Sequence, residues 1–193
     1  MTYTQIPTTT FQNLQINAGI LASGFTPSSG AVEGIIGATS GGIQFQDSVT
    51  FTDFGDDIDN CPKNTMELKR IDSHEVTMSG TFVTVTAELA KLLAGAADVA
   101  SDKVTPRNTL KTADFDDIWF IGDYSDVNDA GTNGSAGYVA IKMMNALNTG
   151  GFQLQTTDRQ KGQFAFTFTG HYSINSQDTV PYEIYVKAGV AGT

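Results

Sequence analysis

The sequence is poor in the residues that carry most chemistry. It has one cysteine, Cys61, so neither an internal disulfide framework nor a cysteine-based zinc site can form. Its two histidines, His74 and His171, are far apart, and neither lies beside a nucleophile-elbow motif. Only 11 residues are basic against 21 acidic, for a net charge of −10. Gripping nucleic acid through a basic patch needs Lys and Arg to neutralise phosphates, so that class is disfavoured. No stretch approaches the roughly 20 apolar residues of a membrane-spanning helix. The opening residues, MTYTQIPTTTF, have no basic region and no long apolar run, so no secretory signal is expected and synthesis in a reducing compartment is. A phosphate-binding GxxxxGK[ST] loop is missing, and GATSGG at Gly37 to Gly42 is not followed by a helical pattern. With so thin a His and Cys inventory, neither catalysis nor a cofactor is expected.

What is present points to strands. Thr, Gly and Phe are frequent, and a chain of 193 residues suits one domain with arms at residues 1–10 and 173–193. Residues 11–22 read as a first strand, followed by a loose SGFTPSSGAVEG stretch. Gln44 to Thr52 alternates with period two, Ile43, Phe45, Asp47, Val49 and Phe51 falling on one face. Met66 to Arg70 and His74 to Val85 read as further strands, with a bulge expected at Gly80. TAELAKLLAGAAD is the one helix: Thr86 is a good N-cap, Glu88 suits the first turn, and Leu89, Leu92, Leu93 and Ala96 form one apolar stripe over about three turns. DVASDKVTPRNTLKT reads as a polar surface connection. Asp116 to Tyr124 reads as a buried strand, and SDVNDAGTNGSAG as a loop holding the hairpin dipeptide Asn133-Gly134. Tyr138 to Leu147, Phe152 to Thr157, Phe164 to Tyr172 and Tyr182 to Val186 complete the set. The pattern predicts a mainly β fold, a sandwich or partial barrel of about eight strands with one flanking helix.

Two features carry the functional reading. Acids cluster: Asp47, Asp53, Asp56, Asp57 and Asp59 in one segment, and Asp114, Asp116, Asp117, Asp123, Asp126 and Asp129 in another, with no base in either. Calcium would want several such oxygens on a bent loop, but DFGDDIDN lacks the EF-hand spacing and its closing Glu, so a solvated acidic surface is the simpler reading. No pair of carboxylates stands out as glycosidase machinery. The second feature is a set of nearly uncharged polar strand faces: Gln44, Gln46, Ser48 and Thr50; Thr77, Ser79 and Thr81; Gln153, Gln155 and Thr157; and Thr167, Thr169 and an exposed His171. Solvated sheet faces usually include Lys and Glu. These faces suit a wet surface that must not adhere to something charged.

Three blocks carry a resemblance that spans most of the chain. They are GGIQFQDSVTFTDFGDDIDNCPKNTMELKRIDSHEVTMSGTFVTVTAELAKLLAGAADV, VTPRNTL followed by DFDDIWFIGDYSD, and GGFQLQTTDRQKGQFAFTFTGHYSINSQDTVPYEIYV. In order and texture they resemble the major tail proteins, or tail tube proteins, of long non-contractile-tailed bacteriophages of Gram-positive hosts and their prophages. The resemblance implies a β-sandwich with a flanking helix whose subunits close into hexameric rings, four strands from each joining one barrel. Stacked rings would form a conduit through which double-stranded DNA passes without specific binding. It implies a virion location after synthesis in the bacterial cytoplasm, and as partners other copies of the chain, a tape measure protein and tail completion proteins. The neutral faces then become candidate lumen linings, and the loop with Asp53, Asp56, Asp57 and Asp59 a candidate contact between rings. Other readings are an adhesin or carbohydrate-binding β-sandwich, which wants an exposed aromatic platform that Trp119 in its apolar run does not suggest, and the tube of a tail-like bacteriocin or secretion needle.

Overall fold

The computed structural model describes residue 10 and residues 14–124 and 137–188. Most of the N-terminal arm, Asp126, Asp129, Asn133-Gly134 and the last five residues lie outside the described residues. The elements are β1 (Gln15–Thr26), β2 (Ala31–Gly37), β3 (Thr39–Asp53), β4 (Lys69–Phe82), α1 (Ala87–Ala94), β5 (Ala97–Ala100), β6 (Lys103–Pro106), β7 (Asp116–Tyr124), β8 (Gly137–Asn148), β9 (Phe164–Thr169) and β10 (Tyr182–Lys187). The fold is mainly β. One antiparallel sheet of eight strands runs β2-β1-β7-β8-β9-β4-β3, with β10 also on β8, and β5-β6 form a separate hairpin. β2 and β3, at the two ends of the path, do not pair with each other, so the sheet is not closed within one copy.

The sheet has two wings because β8 changes partners along its length. On one side residues 137–143 and Ala146 pair with β7; on the other, residues 138–143 pair with β10 and Leu147 and Asn148 with β9. Between them the register to β7 slips by one residue, and Asn145 takes the left-handed φ of 47°. This is a bulge, and its polar groups are met from three directions. The Asn145 backbone N–H donates to Asp117 Oδ1 at 3.1 Å and its side-chain amide donates to the His171 carbonyl at 3.0 Å. His171 Nδ1 lies 3.1 Å from the Asn145 carbonyl, and its ring meets Phe115 edge-on. His171 is thus half-buried beyond the end of β9, a support for the bulge, and not an exposed histidine on a polar face.

The core lies between the wings. Leu21, Ile118, Met143 and Ala146 from one wing meet Val76, Met78, Phe82, Phe164, Phe166 and Phe168 from the other, with Leu89 and Leu93 of α1. Period two on β9 produces this directly: all three Phe are buried and the residues between them are half-exposed. Gly80 belongs to the same packing. A Cβ there would lie 2.7 Å from the Phe166 ring, so the glycine admits the aromatic. The expected bulge falls instead on the partner strand, at Gly41 and Gly42, with φ of 84° and 86°. A smaller cluster on the outer face joins Phe25, Trp119, Ala140 and Tyr185. Trp119 is 7% exposed and stacks with both aromatics, so it offers no open platform.

Other local readings are corrected. Ser23 to Gly34 is not loose: it holds the end of β1, the turn closed by the Gly30 N–H on the Thr26 carbonyl (2.8 Å), and the start of β2. Small polar residues hid the pairing. Met66–Leu68 form a 3-10 turn, and only then does β4 begin. Helix α1 has eight residues, about two turns; Thr86 caps it by accepting the Leu89 N–H, and Gly95 at φ 75° stops it before Ala96. Burial of Leu89 and Leu93 contributes about 2 kcal/mol each. The following polar segment is in part the β5-β6 hairpin. After Ser173 the chain returns to the sheet as β10, in register with β8 through six pairs.

A buried charge network ties the β5-β6 hairpin to the segment leading into β7. Arg107 pairs with Asp114, reaches Asp98 at 3.0 Å and donates to the Thr109 carbonyl at 2.7 Å. Asp114 accepts the Lys111 backbone N–H at 2.7 Å. That N–H, helped by the Arg107 guanidinium, holds the Asp114 carboxyl below its ordinary value against the upward push of burial. A lowered folded value means the stability it contributes is present above the unfolded value near 3.8 and is lost as pH falls through the lower folded one. Asp114→Asn leaves Arg107 with only Asp98 as counter-charge and is expected to lower stability at pH 7 by on the order of 2 kcal/mol. Urea unfolding at pH 7 and pH 3 checks this: the gap between variant and wild type should shrink at the acid end.

Candidate functional site

The wing β3-β4-β9 sorts its residues cleanly by face. On the inner side lie Ile43, Phe45, Val76, Met78, Phe166 and Phe168, packed into or against the core. On the outer side the register sets Gln46, Thr77 and Thr169 in one row and Gln44, Ser79 and Thr167 in the next. Thr81 lies opposite Ala165, Ser48 opposite Glu75, and Thr50 opposite Ser73. Nine of the twelve candidate lining residues therefore share one continuous face. Glu75 is the one charge in these rows.

The face is held by its own polar groups. Gln46 donates to Ser48 Oγ at 3.0 Å, Thr50 and Ser73 hydroxyls meet at 2.7 Å, and Thr169 meets Thr149 at 2.8 Å. A hydroxyl pair such as Thr50–Ser73, which spans β3 and β4, stabilises a sheet modestly without adding charge. Gln44, Gln46 and Thr50 are exposed, while Ser48, Thr77, Ser79, Thr81, Thr167 and Thr169 are half-exposed. β3 forms the edge: among the described residues its 15 residues pair with β4 on one side only. Long unpaired edges are templates for another strand.

Gln153, Gln155 and Thr157 do not join this face. Residues 152–157 form an exposed extended loop with one isolated bridge, Gln155 to Gln163, and not a strand. Phe152 and Leu154, which alternate with these residues, remain about half exposed for want of a partner strand, although Phe152 touches Phe164. Nothing in the local alternation distinguishes such a loop from a strand. Behind it lies a residue that pattern reading missed. Asn148, 5% exposed, donates to the carbonyls of Leu93 and Gly151 and accepts the Thr167 N–H at 2.9 Å. One amide thereby joins α1, β8, the loop and β9.

The acidic loop is the compact tip of the β3-β4 hairpin. Its neck closes through the Phe54 N–H on the Leu68 carbonyl at 3.0 Å. Asp53 accepts the backbone N–H of Gly55 at 2.9 Å and of Asn64 at 2.8 Å. These two bonds, with smaller help from Lys69 and Lys63, hold its carboxyl below the ordinary value. Asp53 therefore shapes the loop, whereas Asp56, Asp57 and Asp59 are exposed. Phe51, Phe54, Ile58, Met66 and Ile71 are each at least half exposed on the same hairpin end. The tip is thus both acidic and apolar; a reading centred on its aspartates overlooked the second property. Cys61 lies here as a half-exposed thiol against Thr65. Among the described residues no three His, Cys, Asp or Glu side chains converge on a metal-sized site, and no helix is long and apolar enough to cross a membrane. No protein-family model matches the chain, and no curated protein matches it.

Proposed function

We propose that this chain is a structural subunit of a hollow tube of the phage-tail type. Six copies close their sheets into a ring, rings stack, and the enclosed channel conducts duplex DNA. The observation that carries this reading is the neutral Gln/Thr/Ser face of β3, β4 and β9, which ends at a 15-residue edge strand with one side unpaired. Its outline agrees with the resemblance drawn from the sequence.

Geometry supports the size. Strands about 4.8 Å apart and tilted by about 40° put six groups of four on a circle about 50 Å across. Side chains on both walls still leave room for a duplex roughly 20 Å wide. The wing supplies four strands, β3, β4, β9 and the end of β8. Pairing of the β3 edge with the next copy consumes its free N–H and C=O groups, and closure of the ring removes every such edge.

The chemistry of the face supports the cargo. Lys and Arg rings would hold phosphates by counterion release, whereas hydroxyls and amides do not. With a net charge of −10, the chain as a whole repels a polyanion. Stacking falls to the hairpin tip: its apolar residues supply contact area, and its aspartates limit association to a partner that pairs with them.

Electron microscopy of the purified protein over a concentration series is the direct test. Six-fold rings or tubes with an open channel are expected; a protein that stays monomeric at every concentration and binds glycans would overturn the reading. Arg at Gln46 or Thr169 should leave tubes intact yet make them retain duplex DNA, with binding that weakens steeply as salt rises. Gel-shift titration of purified variant tubes at several salt concentrations reads this out. Deletion of residues 53–60 should yield rings or monomers without tubes, visible in the same micrographs; normal tubes would remove the tip from stacking.

A further inference from the structure

We propose that Asp47, His74 and Tyr182 form a proton-dependent clasp that fastens β10 to the β3-β4 hairpin. The clasp goes beyond the tube reading and stands without it. β3 pairs with β4, and β10 with β8, so no backbone ladder joins β3 to β10. Side chains make the connection. The Phe45 and Tyr182 rings have centroids 5.3 Å apart, and the Tyr182 hydroxyl donates to Asp47 Oδ2 at 3.1 Å. Burial, then the neighbouring carboxylate, raises the Tyr182 phenol above its ordinary value, which keeps it a donor. The same carboxylate oxygen lies 2.8 Å from His74 Nδ1.

Asp47 occupies an awkward place. It interrupts the apolar row Ile43, Phe45, Val49 of β3, its side chain is 15% exposed, and its second oxygen, Oδ1, is buried without a hydrogen-bond partner among the described residues. A carboxylate so placed is unfavourable unless a counter-charge lies against it. Among the described residues Asp47 pairs with His74 and with no Lys or Arg. The groups facing the histidine are few: Asp47 from β3, Tyr182 from β10 through the shared carboxylate, and Tyr172 beyond β9, whose hydroxyl accepts the His74 backbone N–H at 3.2 Å. Glu75, its neighbour on β4, lies on the opposite face beside Ser48.

Imidazole changes charge between about pH 5 and 8. While His74 is protonated and Asp47 is not, the clasp contains an ion pair. When the imidazole is neutral, a hydrogen bond remains but the carboxylate stands uncompensated, and separating β10 brings water to it. The clasp is therefore tighter with the imidazole charged and looser with it neutral.

Hydrogen exchange followed by mass spectrometry tests this on the full chain. Exchange of β10 amides, corrected for the intrinsic pH effect and compared with β7 as an internal reference, is measured at pH 6 and pH 8. β10 protection should fall roughly three- to tenfold relative to β7 at the higher pH. Asp47→Asn should remove that pH dependence. Tyr182→Phe keeps the ring on Phe45 and serves if the first variant fails to fold; it should lower β10 protection at pH 6 and abolish the difference. Wild-type protection of β10 that does not change with pH, or that survives Tyr182→Phe unaltered, would overturn the clasp.

Discussion

A strand that serves two wings of one sheet has to break its own ladder somewhere, and the backbone groups released there need partners. β8 meets this demand at Asn145, where Asp117 and His171 take up the polar groups that the bulge leaves unpaired. The arrangement of the wings around one core follows from that bend. Without it, β9 and β4 would extend the first wing in one plane, and their apolar rows would have no facing layer to pack on. The bulge is therefore a requirement of the hydrophobic core, even though it contributes no apolar surface itself.

The second wing shows how period two can produce a core and a functional face together. Every buried Phe on β9 is separated from the next by a residue on the other side, so the pattern that fills the core also spaces Thr167 and Thr169 along the outer face. Pairing with β4 and β3 turns three such lines into a two-dimensional array whose only charge is Glu75. The array is uncommon because solvated faces elsewhere in the chain carry charge: Lys142 and Glu183 sit on the outer side of β8 and β10 in one row.

Much of this was legible in the sequence where a strand has one buried face and one wet one. β3, β4 and β9 answer to that rule, β7 shows instead as an apolar run covered on both faces, and Thr86 announces its helix by cap chemistry alone. Legibility failed where the deciding factor was a partner. Phe152 to Thr157 alternates as well as β9 does, but among the described residues its one pairing is the isolated bridge from Gln155 to Gln163. The Ser23 to Gly34 region pairs without alternating, because the β1-β2 hairpin sits at the sheet end where neither side is fully covered. Asn148 and His171 carry no local signature at all: an amide that joins four elements, or an imidazole that supports a bulge, is defined chiefly by residues from 19 to 55 positions away. The candidate face was readable as four lines of residues, and three of them prove to be neighbours.

Gly41 and Gly42 present an unusual combination. Both hold left-handed torsions, yet an added Cβ at either would meet no atom within 4 Å. Room is plentiful and only the backbone angle is demanding. Substitution there is thus limited by the handedness of the amino acid: D-alanine would fit where L-alanine strains, so a mirror-image residue is what the bulge just before Ile43 would accept.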